Sequence, residues 1–181
     1  MIFRPTPLGG SHLVDPEPFQ DERGWFARVF CAEEFRAVAP PLAWVQINHS
    51  FTRRALTLRG LHFQRPPHQE TKLVRCVAGA VWDVIVDLRR GSPTFLKWFG
   101  AELSAANRTM LLVPPGFAHG FQTLAADTEI IYHHSHPYTP DAEGGLRYDD
   151  PRLGIAWPAA PACLSARDAA HPRLDGGFQG F

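Results

Sequence analysis

Chemistry is concentrated in Arg59-Gly60-Leu61-His62-Phe63-Gln64, with Lys72 ten residues beyond the histidine. An imidazole can take a proton near neutral pH, and an ammonium can hold a developing negative oxygen. Together they are the equipment for removing a proton beside a carbonyl and stabilising the enolate that forms. The same residues would also serve as a hydrogen-bonded sheet edge, so the elements around them decide.

Those elements read as strands. Trp44 to Ser50 alternates with period two, placing Gln46, Asn48 and Ser50 on one face. Such a face meets solvent in an open sheet and lines the cavity in a barrel. Lys72 to Val77, Val81 to Leu88, Phe95 to Leu103, Thr109 to Val113, Gly120 to Leu124 and Thr128 to His136 follow as further short strands. In the second of these, Trp82, Val84, Val86 and Leu88 share one side; Val81, Asp83, Ile85 and Asp87 share the other. Ala32 to Val38 has helical composition and stops before Pro40-Pro41. Short strands at this spacing predict an all-β antiparallel sandwich or barrel. The expected layout is one domain over 1–181: an arm at 1–20, a barrel over about 21–140 and a loop-rich segment at about 141–181.

Composition narrows the function. Lys+Arg and Asp+Glu are 18 each, so no net field recruits nucleic acid or an anionic membrane. Seventeen prolines and 15 glycines, with 13 Phe and 5 Trp, favour turns and aromatic-rich strands over helices. Cys31, Cys76 and Cys163 fit neither a zinc spacing nor a disulfide framework, and are expected to be buried thiols in a reducing compartment. No apolar stretch approaches the ~18 residues of a membrane span, and the N-terminus has no hydrophobic leader core. A cytoplasmic protein is expected.

Two patterns resemble the paired motifs of the cupin superfamily, small jelly-roll β-barrels. His62-x-Gln64, Lys72 and Gly79 stand where a metal-binding cupin has His-x-His, Glu and Gly; Pro114-x-Gly116-x-x-His119 stands where its last histidine comes. Gln64 is a poor transition-metal ligand and a protonated Lys72 is none, so a metal-free cavity is expected. His133, His134 and His136 suggest a metal tract, but on one strand His133 points away from the other two.

A closer resemblance runs from about Phe19 to about Leu174. It lies in Asp21-Glu22-Arg23-Gly24-Trp25-Phe26, Gln46-Ile47-Asn48-His49-Ser50, Arg59 to Gln64, Gln69 to Arg75 and Val84 to Arg89. Pro114 to Phe121, Tyr132, Tyr138-Thr139-Pro140 and Leu164 to Asp168 complete it. In order and spacing, the chain resembles the dTDP-4-dehydrorhamnose 3,5-epimerase family. The resemblance implies a cofactor-free nucleotide-sugar epimerase, expected as a homodimer that binds a nucleotide-diphosphate sugar. It implies His62 as base, Asp168 as the carboxylate fixing its tautomer, Lys72 on the enolate oxygen and Tyr132 as proton donor from the opposite face. Arg23, Arg59 and Arg167 would grip diphosphate; Gln46 and Asn48 would meet base or sugar; Phe26 and Tyr138 would stack; His119 and Glu143 match substrate contacts. Ser165-x-x-Asp168 also has the form of a helix-capping box. One departure is Arg28, where the family pattern carries a carboxylate. It puts CDP beside dTDP as a candidate nucleotide. A mono-epimerase acting at C3 or C5 only, an epimerase of a CDP- or GDP-linked keto sugar, a silent sugar-binding cupin and a metal-dependent cupin enzyme stand as alternatives.

Overall fold

The computed structural model describes residues 1–181. In chain order its strands are β1 (Ile2–Pro5), β2 (His12–Asp15), β3 (Phe19–Asp21), β4 (Gly24–Phe26), β5 (Gln46–Thr52), β6 (Thr57–Gln64) and β7 (Lys72–Ala78). They continue as β8 (Ala80–Asp87), β9 (Trp98–Ser104), β10 (Met110–Val113), β11 (Phe117–Thr123), β12 (Thr128–His134), β13 (Glu143–Gly145) and β14 (Cys163–Leu164). Two single-turn helices, α1 (Ala32–Phe35) and α2 (Ala166–Ala169), interrupt them.

One sheet runs β1-β2-β10-β7-β12-β5 and the other β13-β6-β11-β8-β9, with β14 added in parallel along the start of β6. All other pairings are antiparallel. The two sheets face one another as a cupin-type jelly-roll barrel, because each strand has an apolar side to hide and a second side to dispose of. Val74, Cys76, Leu111, Val113 and Ile130 from the first sheet meet Val81, Ile85, Leu103, Phe117 and Phe121 from the second. That apolar filling closes one part of the interior.

Both outer faces are covered as well. Leu61, Phe63, Val84, Val86 and Leu88 pack beneath Leu146, Leu153, Trp157 and Leu174 of the C-terminal segment. Val14, Leu73, Met110 and Leu112 pack beneath Phe35, with Phe3, Phe30 and Trp44 around them. Strands buried on both faces therefore read as near-continuous apolar runs, as β8 and β10 do.

The layout differs from the sequence expectation in several places. The first twenty residues are not an arm: β1 and β2 form a hairpin, and β2 pairs with β10 inside the sheet. Their prolines lie at the strand end or beyond it, where a missing N–H costs no ladder bond. The barrel also takes β13 and β14 from the loop-rich segment. The helix expected to reach Val38 ends at Phe35, and the chain continues to Ala39 as tight turns, with Ala37 N bonded to Glu34 O and Val38 N to Phe35 O. Cys76 alone is buried, its thiol pushed up to about 11 by burial; Cys31 is half-buried and Cys163 exposed on its two-residue edge strand.

Asp87 is the last residue of β8. Its side chain is fully buried and accepts from Arg89 N and Nε at 3.0 and 2.9 Å, Arg89 Nη2 at 2.7 Å, and the Ser92 and Thr94 hydroxyls at 2.6 Å each. Burial works against its charge, but those donors outweigh it and hold the carboxyl down to about 2. A carboxyl depressed on folding stabilises the protein above its unfolded value near 4, and the gain fades as pH falls towards 2. That gain is about 2–3 kcal/mol. Asp87→Asn is therefore expected to lower the neutral-pH melting temperature and flatten its fall between pH 4 and 2, read by thermal denaturation across pH.

Candidate active site

A cavity of about 880 Å³ opens beside the apolar interior, between the two sheets. On the wall made by β12 and β5, the alternation puts Tyr132 and His134 opposite Asn48 and Gln46, all facing inward. The polar face of β5 therefore lines a cavity. Lys72 joins this wall from β7, paired with His134.

The facing wall is β6 and β11, where His62 sits opposite His119. A strict strand would turn Arg59 and His62 to opposite sides, since they are three positions apart. A bulge resolves this: Arg59 pairs with Phe121 and His62 with His119, so three steps on β6 match two on β11. Gly60 sits in the bulge at φ +121°, and a Cβ there would lie 2.6 Å from Gly120 Cα. The glycine lets both side chains enter one cavity.

Asp168 reaches His62 from α2. Ser165 caps that turn by accepting from Asp168 N at 3.0 Å, and the Asp168 side chain turns inward to His62 Nε2 at 2.7 Å. The Ser165-x-x-Asp168 pattern is thus a helix cap and a site element at once. Burial raises the Asp168 carboxyl, but His62, the Gly60 N–H and Ser165 together hold it below the usual carboxylate range. Asp168 is ionised, and with Nε2 given to it, His62 Nδ1 is the nitrogen left to accept a proton.

Tyr132, on the other wall, has its hydroxyl 3.2 Å from Ser50 Oγ and its ring edge-on to His119 at 6.1 Å. Burial pushes the phenol far above its ordinary value, against the opposing Ser50 hydrogen bond. It stays protonated and can act as an acid. Lys72 is buried, with Nζ 3.0 Å from Glu70 Oε1. Burial works against the Glu70 charge, yet His134 and Lys72 hold its carboxyl below the ordinary range. The Glu70 anion keeps an ammonium in an otherwise costly place.

The chain matches the family model described as dTDP-4-dehydrorhamnose 3,5-epimerase over residues 5–176. It is 46% identical over 175 residues to a protein of that name from Sinorhizobium fredii, covering 96% of this chain and 90% of the relative. The chain belongs to the dTDP-4-dehydrorhamnose 3,5-epimerase family. It is an isomerase. The crystal structure of the Legionella pneumophila dTDP-6-deoxy-D-glucose-3,5-epimerase, in complex with dTDP-4-keto-L-rhamnose, superposes with a TM-score of 0.91 at 36% identity, covering 99% of this chain and 97% of that one. A 3'-monoepimerase from Streptomyces bikiniensis, in complex with dTDP-quinovose, superposes at 0.87 with 34% identity over 94% of this chain and 86% of that one.

Of the residues that the resemblance to this epimerase family implies, eleven line the one cavity: His62, Lys72, Tyr132, Asp168, Gln46, Asn48, Arg59, His119, Tyr138, Glu143 and Arg167. Tyr138 Oη donates to Glu143 Oε2 at 2.9 Å, and Arg167 holds the same carboxylate at 3.1 Å. Arg23 and Phe26 are not brought there. They sit on the β3–β4 hairpin, with Phe26 75% and Phe19 78% exposed, and the Arg108 guanidinium lies over the Trp25 ring of that hairpin. Arg23 is tied to Asp21 instead. Arg28 is held by Glu34 at 2.8 Å and does not line the cavity of its own chain.

The cupin metal positions do not fit a metal. The Gln64 amide is spent on the His68 and Pro137 carbonyls, Glu70 and Thr139 N–H, Lys72 is ion-paired, and His119 Nε2 is held by Asp83 at 2.9 Å. His133 turns out towards Trp44 while His134 turns in, and His136 lies past the strand end.

Sequence reasoning missed Glu70, Asp83 and His171. Asp83 was visible: period two put it among Val81 and Ile85 on the inward face, where a carboxylate needs a partner. Glu70 stands two residues before Lys72, the same-face spacing. Nothing in the sequence pointed to His171, which stacks edge-on against His62 with ring centres 5.4 Å apart.

Proposed function

We propose that this chain inverts C3 and C5 of a dTDP-4-keto-6-deoxyhexose by two rounds of proton removal and return through an enolate. One observation carries the reading: a histidine–carboxylate pair and a protonated tyrosine stand on opposite walls of one cavity, with a buried lysine beside the tyrosine's strand. His62 Nδ1 takes the proton next to the ketone, and Asp168 stabilises the imidazolium. The electron pair passes to the ketone oxygen, where Lys72 donates a hydrogen bond. Tyr132 then delivers a proton to the opposite face, which inverts the carbon. Acid and base on opposite walls are what separate inversion from exchange. No electrons leave the sugar, so no redox cofactor enters.

Arg59 and Arg167 take the diphosphate as planar, bidentate donors. Gln46 and Asn48 meet the base or sugar, Tyr138 stacks, and His119 and Glu143 contact the sugar. Arg23 and Phe26 fit the same role if the working unit is a homodimer whose hairpin reaches its partner's cavity. The bare Phe19 and Phe26 and the exposed Val45, Ile47 and Phe51 support such a contact. No helix is long and apolar enough to cross a membrane, and a nucleotide-sugar substrate fits a cytoplasmic enzyme.

Incubating the protein with dTDP-4-keto-6-deoxyglucose in D₂O tests this by NMR. Deuterium is expected at both C3 and C5, with dTDP-4-keto-L-rhamnose formed. Deuterium at one carbon alone would make the chain a mono-epimerase, and none at either would refute the reading.

A further inference from the structure

The His62–Asp168 pair has a third member that the epimerisation above leaves without work. His171 follows Asp168 by three residues, just past the end of α2, and its N–H bonds the Asp168 carbonyl at 3.4 Å, which keeps the two on one side. His171 Nε2 lies 3.5 Å from Asp168 Oδ1, and His62 Nε2 lies 2.7 Å from the same oxygen. All three donor atoms fall within 4.8 Å of one another. His171 Nε2 is buried and makes no hydrogen bond. A buried polar atom left unpaired is uncommon and costs stability, so it calls for an explanation. The space for its ring comes from Gly145, where any Cβ would lie 2.3 Å from the imidazole.

We propose that His62, Asp168 and His171 form a site for a zinc-like divalent cation, and that filling it shuts the enzyme off. Bonds of about 2.0–2.2 Å in a tetrahedron put neighbouring donors roughly 3.4 Å apart. The Asp168–His171 pair already has that spacing. The His62–Asp168 pair has to open by several tenths of an ångström, and rotation of the two rings closes the third side. Two imidazoles and one carboxylate suit zinc, cobalt or copper, whereas magnesium demands an oxygen shell. The fourth position faces the cavity and takes water.

Inhibition follows from the tautomer and rests on the proposed role of His62 as base. A metal on Nε2 moves the single ring proton, by way of water, to Nδ1. That nitrogen then has no lone pair for the substrate's proton. No net proton is lost and no bond to carbon is involved. The opposing charge is Arg167, whose Nη2 is 3.3 Å from His62 Nε2 and whose Nε is 3.9 Å from Asp168 Oδ1. Its side chain is more than half exposed and already bonded to Glu143, so it can swing outward. This repulsion keeps the site weaker than a closed structural zinc site.

Cobalt(II) titration of the wild-type protein at constant pH reads the site without using activity. A visible absorption band of four-coordinate cobalt is expected, displaced by zinc and untouched by magnesium. Zinc is expected to inhibit epimerisation, with chelator restoring the rate. His171→Ala and His171→Asn should lose the band and need about 10-fold or more zinc for half-inhibition, each measured against the variant's own metal-free rate, with circular dichroism checking the fold. Absence of the band, or a band and inhibition that persist in both variants, would overturn the proposal. A His171-dependent band with undiminished epimerisation would uphold the metal site and overturn His62 as the base.

Discussion

His62→Ala is expected to lower epimerisation by roughly 10²–10⁴-fold, the usual contribution of a positioned general base. Deuterium uptake beside the ketone should fall with it, because both begin with the same proton transfer. The expectation rests on Asp168: its buried, ionised carboxylate takes the Nε2 side of the ring and leaves Nδ1 as acceptor. Alanine removes the base and leaves Asp168 within reach of the Gly60 N–H and the Ser165 turn. The fold should therefore survive, which circular dichroism would check. Exchange at a near wild-type rate in a folded variant would show that another group removes the proton.

Much of the barrel was legible because antiparallel strands write their two faces into the sequence. Gln46, Asn48 and Ser50 announced a polar face, whereas Asp83, on one face with Val81 and Ile85, was passed over although a carboxylate there needs a partner. Sequence alone left open which way the first face turned, since solvent and cavity demand the same residues. Closing the two sheets decides it. The first twenty residues misread as an arm for a related reason: short strands broken by prolines look free until a neighbour such as β10 supplies the ladder.

The catalytic wall carries a subtler signal. Arg59 and His62 are an odd number of residues apart, which in a regular strand separates them. Gly60 is the visible sign that the strand is irregular there, and the shift of register against β11 is what it permits. Arg23 and Phe26 fail for the opposite reason. Their hairpin is locally well formed, but within one chain nothing carries it to the cavity. His171 lies beyond any short motif, and the turn that follows α2 brings it to His62.

Tyr132→Phe separates the two proton transfers that His62→Ala removes together. The substitution keeps the ring against His119 and deletes only the hydroxyl, which has a single protein partner in Ser50. Loss of a general acid is expected to cost roughly 10²–10⁴-fold in inverted product. Exchange should persist, since His62 can return solvent-derived deuterium to the face from which it took the proton. The readout is thus a ratio, deuterium incorporated against product inverted, measured in one NMR sample. A merely structural tyrosine would lower both together. Burial makes the contrast sharp, because a phenol pushed this far up stays an acid throughout the working pH range and leaves proton abstraction to His62. Inversion at the wild-type rate by the phenylalanine variant would move the donor to water or Tyr138, whose hydroxyl at the cavity rim is bonded to Glu143.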